Sequence, residues 1–242
     1  MRLEEFQISS RKPCLPAAKA GLGQSGFRPA AQREHPSIYM NKILIGIVLI
    51  SFAGLLPANA DNDPGMRVVS AARMQIGKTI RYDPEYRSIE YPNGDLPLDR
   101  GVCTDVIVRS FRTGLGVDLQ KLVHEDMKRN FGEYPRHWGL ASPDKNIDHR
   151  RVANLQTYFQ RRGWSLAASK IAADYKPGDL VTCIVPPNLP HIMMVSDRKT
   201  VEGRPLVIHN IGAGTNEEDR LFEFEFTGHY RIKPNESYRA PD

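Results

Sequence analysis

Apolar positions recur at helical spacing in the first half of the chain and at strand spacing in the second. Asp63-Pro64 reads as an N-cap followed by a first-turn proline, with Val69, Ala72 and Ile76 on one face and Gly77 just past the end. Cys103, Val106, Ile107 and Phe111 predict a short helix over 103–112 stopped by Gly114. Asp118 caps a second helix carrying Leu119, Leu122, Val123 and Met127, and Asp148 a third carrying Val152, Leu155 and Phe159 with Gly163 as its stop. Between the first two helical segments, residues 80–101 hold three tyrosines among Pro84, Pro92, Gly94 and Pro97 and read as an ordered loop.

After Gly163 the pattern changes. Leu180–Val185, Ile192–Ser196, Leu206–Ile211 and the alternation Phe222, Phe224, Phe226 are continuous or period-two apolar runs separated by turn residues. Helices first and an antiparallel sheet second predict an α+β fold.

One apolar run fits neither class. Met40-Asn41-Lys42, then Ile43–Leu56, then Ala58-Asn59-Ala60 has the charged, apolar and small-residue parts of a secretory signal peptide. Its 14-residue apolar run is short of the roughly 20 residues that span a bilayer. The expectation is export to the periplasm or exterior with cleavage near Ala60, translation from Met40, and no role for residues 1–39, which show no periodicity. The leader also changes the charge. The seven basic and three acidic residues of 1–60, taken from 33 and 28, leave 26 and 25 over residues 61–242. That near-neutral balance does not indicate a nucleic-acid partner, whose phosphates need clustered Lys and Arg. The remaining 182 residues suffice for one domain; a monomer is expected.

Two cysteines remain, Cys103 and Cys183, and in an oxidising compartment a disulfide between them is one reading. Cys183, inside a strand, reads otherwise as a small core side chain. Cys103 carries the sharper reading, because a helix N-terminus lowers a thiol's pKa and an adjacent histidine can complete its activation. Two histidines are placed for this. If the strands around 192–196 and 206–211 form a hairpin centred on Thr200, Met194 opposes Leu206, Ile192 opposes Ile208, and His191 faces His209. A two-residue slip keeps both histidines on one face, and a one-residue slip separates them. One imidazole would then orient the other. Cysteine and histidine are also zinc donors, yet no Cys-x-x-Cys or His-x-x-x-His pair accompanies them, so no metal or other cofactor is expected.

The succession Gln75-Ile76-Gly77-Lys78, Gly101-Val102-Cys103-Thr104-Asp105, Pro177-Gly178-Asp179-Leu180-Val181, His191-Ile192-Met193-Met194-Val195 and Val207-Ile208-His209 resembles the NlpC-type cell-wall peptidases of the papain-like fold. More closely, Cys103-Thr104-Asp105, Val123-His124-Glu125-Asp126-Met127, Asn146-Ile147-Asp148-His149-Arg150-Arg151 and Gly228-His229-Tyr230-Arg231 resemble the domain-of-unknown-function family numbered 1287, over nearly all of residues 66–233. The resemblance implies a papain-like hydrolase with a helical insertion at about 115–165. It implies cleavage of an amide bond in peptidoglycan or muropeptides by Cys103, with His191 as base and then acid and His209 as orienter. The backbone N–H of Cys103 would serve the oxyanion, with Tyr82 and Asn210 in supporting places. The chain departs from the NlpC pattern in having Val102-Cys103-Thr104-Asp105 around the nucleophile and a longer separation of Cys103 from His191.

Blander readings stand beside these. His124, His149 and His229 read as surface or capping histidines. Asp105 is explained by the helix dipole. Asp148 reads first as an N-cap and Arg150 as a solvated helix residue, and both are also candidates for a substrate rim, where arginine suits peptide carboxylates. A non-catalytic wall-binding module and an exported structural domain with a Cys103–Cys183 disulfide are the alternatives to an enzyme.

Overall fold

The computed structural model describes residues 63–233; the expected leader and residues 1–39 lie outside that range. Helix α1, Pro64–Arg73, starts as its sequence predicts, with the Asp63 carboxylate accepting the N–H of Gly65 at 2.8 Å. A two-strand parallel pair, β1 (Arg81–Tyr82) and β2 (Arg100–Gly101), interrupts the Tyr/Pro-rich segment. Helix α2 then spans Cys103–Leu115, α3 Leu119–Asn130 and α4 Val152–Arg161.

Helix α2 runs through Gly114 instead of stopping there; its left-handed terminus is Gly116, at φ 71°. Gly114 is there for packing, since a Cβ would meet the Arg67 carbonyl oxygen of α1 at 2.7 Å. Asp118 caps α3 through the N–H of Gln120, as expected. Asp148 does not cap α4. It opens a 3₁₀ turn, Asp148–Arg150, and α4 begins four residues later.

Strands β3 (Ser165–Leu166), β4 (Leu180–Val185), β5 (Leu189–Lys199), β6 (Pro205–Asn210), β7 (Thr215–Glu218) and β8 (Glu225–Tyr230) form one antiparallel sheet in the order β3-β8-β4-β5-β6-β7. Both faces are covered, which is why β4 and the middle of β5 read as apolar runs. Leu180, Ile192, Met194 and Ile208 share a core with α1, α2 and α4. Val181, Cys183, Met193, Val195 and Val207 pack with Tyr175 and Leu221 in a second core. Of the phenylalanine alternation only Phe226 lies in β8; Phe222 precedes the strand and meets Tyr175 edge-to-face, ring centroids 5.7 Å apart.

The β5–β6 hairpin has a different register from the expected one. Met194 pairs with Ile208 and Val195 with Val207, two residues away from the expected pairs, and pairing resumes at Lys199–Pro205. The irregularity between Val195 and Lys199 places two extra residues in β5, and the turn closes from Thr200 N–H to Arg204 carbonyl at 2.9 Å. A slip of two preserves the faces.

Candidate active site

Cys103 is the first residue of α2, and three interactions hold that end of the helix. Asp105 accepts the Val102 N–H at 2.7 Å. The Arg150 Nε meets Asp105 Oδ1 at 3.0 Å and its Nη2 meets Oδ2 at 3.1 Å, while the same guanidinium donates to the carbonyls of Glu85 (2.9 Å) and Asp83 (2.8 Å). Asn210 Nδ2 donates to the Gly101 carbonyl at 2.9 Å, tying the end of β6 to β2 two residues before the cysteine.

These contacts change several expected roles. Arg150 is neither solvated nor free at a rim, because it is buried and its fork is committed to Asp105 and two carbonyls. Asp105 does more than favour the dipole, since it anchors the helix start to a loop 45 residues away. Asp148 is fully buried, with Oδ2 3.1 Å from His124 Nδ1, and therefore cannot form an open substrate contact. Burial pushes its carboxyl up. Neither His149 nor His229 is at the surface: both are buried, and His229 Nε2 lies 2.8 Å from Asp179 Oδ2. His124 is partly buried against Asp148. Asn210 is buried and bonded to the Gly101 carbonyl.

The two strand histidines meet. His191 Nε2 lies 2.8 Å from His209 Nδ1, both side chains buried. The two-residue slip makes them diagonal neighbours instead of directly opposed, still on one face. Directly across from His191, on β4, sits Cys183. Cys103 and Cys183 are both free thiols.

The electrostatics of Cys103 differ from expectation. Burial pushes its thiol up to about 11, and the Asp105 charge adds to this; the N–H groups of Ile192, Thr104 and Cys103 itself oppose the rise without cancelling it. The expected lowering by the helix end is thus outweighed by desolvation. Burial likewise pushes His191 down to about 3, reinforced by His209 and Arg220, and His209 down to about 4, reinforced by Arg220. All three groups are neutral near pH 7. No hydrogen bond among the described residues joins the Cys103 sulfur to either histidine. The Ile192 N–H, from the residue after His191, is among the groups that favour the thiolate.

A cleft of about 240 Å³ opens at Cys103, walled by Tyr82, Pro84, Trp138, Ile147, Arg150 and Pro190. Tyr82 is on its rim and partly exposed. Trp138 had not been singled out from the sequence, although an isolated tryptophan in a Gly/Pro-rich loop is itself a sign of a surface contact. The Arg151 guanidinium lies over its ring, 4.1 Å from the centroid. No cluster of three or more His, Cys, Asp or Glu placed to hold a metal ion occurs among the described residues.

Comparison with known proteins gives this site a context. Residues 69–232 match the model of the domain of unknown function DUF1287. The uncharacterized protein YijF of Escherichia coli (strain K12) is 53% identical over 166 residues, covering 69% of this chain and 80% of its own. Among solved structures, NlpC1 and NlpC2 from Trichomonas vaginalis superpose with TM-scores of 0.35 and 0.36 at 12% and 11% identity. Each covers 68% of this chain, which in turn covers 43% and 46% of them, less than half their length. By the extent of the family match, and with an α+β architecture, the chain belongs to the DUF1287 family.

Proposed function

We propose that the protein is an exported thiol hydrolase of papain-like arrangement that cleaves an amide bond in peptidoglycan peptides through Cys103, His191 and His209. The observation that carries the reading is the His191–His209 contact of 2.8 Å, with the N–H of the next residue, Ile192, among the groups favouring the Cys103 thiolate. A buried imidazole pair beside a helix-start thiol is costly to desolvate, and a proton relay accounts for it.

In this mechanism Cys103 Sγ attacks the carbonyl carbon while its proton passes to His191. Because His191 Nε2 is engaged with His209, the receiving atom is Nδ1. The C–N bond then breaks, His191 returns the proton to the leaving amine, and water hydrolyses the thioester to a carboxylate and the free thiol. A thiol held up and an imidazole held down keep the proton on sulfur until attack begins, so His191 acts as a general base in the transition state, without a standing ion pair. The Cys103 N–H and the Tyr82 hydroxyl at the cleft rim are the oxyanion donors in this reading. Trp138, Pro84 and Pro190 give the cleft apolar walls suited to the uncharged faces of a sugar–peptide.

Digestion of purified muropeptides tests this. The wild type is expected to release a new amine and carboxylate, and Cys103→Ala to release neither; cleavage that survives Cys103→Ala refutes the mechanism. The missing thiol–imidazole hydrogen bond favours a second reading, a wall-binding module that keeps the cleft without the chemistry. That reading predicts co-sedimentation with sacculi and no cleavage by the wild type.

A further inference from the structure

We propose that Glu218 on β7 is a positioning residue for the His191–His209 pair, the acceptor that fixes the proton of His209 on Nε2 and so leaves His191 Nδ1 bare for Cys103. The inference rests on the hydrolase reading for its catalytic consequence, but its structural content stands on proton accounting within the pair. A neutral imidazole carries one N–H and one bare nitrogen. The 2.8 Å contact between His191 Nε2 and His209 Nδ1 holds one proton. If that proton were on His209, His191 would accept at Nε2, carry its own proton on Nδ1, and present the thiol with a donor where a base is needed. The productive arrangement therefore has His191 protonated on Nε2 and His209 bare on Nδ1. That requires His209 to carry its proton on Nε2.

The structure leaves that nitrogen in an unusual position. His209 Nε2 is buried and has no hydrogen-bond partner among the described residues. The carboxylate facing it is Glu218, with Oε2 at 3.9 Å. The strand register accounts for this placement: His209 pairs with Asn216 and Val207 with Glu218, so Glu218 is the diagonal same-face neighbour, which a long side chain reaches. The distance is beyond a hydrogen bond, and the reason is visible. Arg220 Nε holds Glu218 Oε2 at 3.2 Å and Glu223 Oε2 at 3.0 Å. Arg220 thus competes with His209 for the carboxylate, and it also disfavours charge on both imidazoles. When positive charge develops on His191 during attack, it propagates through the pair toward Glu218. A closing of about 1 Å completes a relay from thiol to His191 to His209 to carboxylate.

Proton-detected ¹⁵N NMR of the full chain labelled at histidine reads the tautomers directly near pH 7. The wild type is expected to show both His191 and His209 as Nε2–H forms. Glu218→Leu is expected to move His209 to the Nδ1–H form or to an average, with His191 following. Glu218→Gln, which keeps an acceptor oxygen, should restore the wild-type tautomers. In step with these changes, the alkylation rate of Cys103 by a neutral electrophile should fall about tenfold in Glu218→Leu and recover in Glu218→Gln, as expected for loss of one charge-assisted hydrogen bond. Should Glu218→Leu fail to fold, Arg220→Met gives the converse reading: a released carboxylate, a His209 Nε2–H proton moved downfield, and both imidazoles titrating at higher pH. An Nδ1–H form of His209 in the wild type, tautomers unmoved in Glu218→Leu, or no downfield movement in Arg220→Met overturns the proposal. Tautomers that respond as stated in a wild type that cleaves no muropeptide would sink the hydrolase reading alone. Cleavage with unresponsive tautomers would sink the role of Glu218 alone.

Discussion

Two buried histidine sites in the same sheet differ in how completely their polar atoms are satisfied. His229 has an acceptor at each nitrogen, Asp179 Oδ2 at 2.8 Å and the Ala167 carbonyl at 3.3 Å, and its ring stacks on Tyr175 with centroids 4.4 Å apart. Asp179 is itself saturated by Arg231 and by the Lys176 N–H at 2.8 Å. The His191–His209 pair has one internal hydrogen bond, an orphaned Nε2, and a carboxylate just out of reach. A saturated polar cluster has nothing left to bind and serves to join strands. A pair with spare hydrogen-bonding capacity beside a thiol is where a proton can come and go. The first site is therefore assigned to stability, and under the proposed hydrolase reading the second is assigned to turnover.

The largest expected effect falls on the second site. His191→Ala should lower kcat/KM on muropeptides by about 10⁴-fold, the loss typical of removing the base of a nucleophile–base pair, while the protein still melts cooperatively. A variant retaining near-wild-type turnover would remove the distinction between the sites. The next effect falls on the first. Asp179→Ala leaves His229 and Arg231 without their carboxylate, and because Arg231 is about one-third exposed, the cost sits at the lower end for a broken buried pair, about 3 kcal/mol. Denaturant unfolding measures it; turnover per folded molecule should not change.

Their pH dependence sharpens the contrast. Burial holds His191 and His149 down to about 3 and His209 down to about 4, so the unfolded chain binds more protons than the folded one between those values and the ordinary imidazole range. Stability is thus complete above about pH 6.5 and falls as pH drops, each histidine contributing a slope of about 1.4 kcal/mol per pH unit within its window. The Cys103 thiol, pushed up to about 11, acts on the opposite side: above about pH 9 the unfolded chain loses a proton that the folded chain keeps, and stability falls again. A Tm profile flat from pH 4 to 7 would contradict the neutral, buried state of the imidazoles. The smallest effect belongs to Asn210→Ala, which should cost about 1 kcal/mol through the lost hydrogen bond to the Gly101 carbonyl, which keeps the Asp83 N–H. It should also slow turnover by loosening the approach to Cys103.

Features set by local chemistry were legible in the sequence. Asp63-Pro64 and Asp118 cap helices where expected, β4 has its expected bounds, and the two strand histidines meet. Features set by distant contacts were not. Gly114 has the chemistry of a helix stop, and only the approach of α1 explains why it lies within a helix. Arg150 and Asp105 are 45 residues apart, with nothing local linking them. The β5 irregularity that shifts the register leaves no mark in an apolar pattern that tolerates a slip of two. Strand β7, Thr-Asn-Glu-Glu, is a polar edge with no apolar pattern to mark it as a strand, so Glu218 could not be seen beside His209. The thiol and imidazole equilibria depend on burial, and a sequence window around Cys103 contains the helix end that would lower its pKa without the sheet that buries it.

As the proposed nucleophile, Cys103 would form a covalent bond to the substrate's acyl group during turnover. Acid quenching of the wild-type protein during turnover of a muropeptide, followed by peptide mapping, measures this directly. A thioester on the Cys103 peptide with the mass of the acyl portion is expected, absent in Cys103→Ala. Turnover at the same rate with no adduct on Cys103, or with the adduct on another residue, would contradict it.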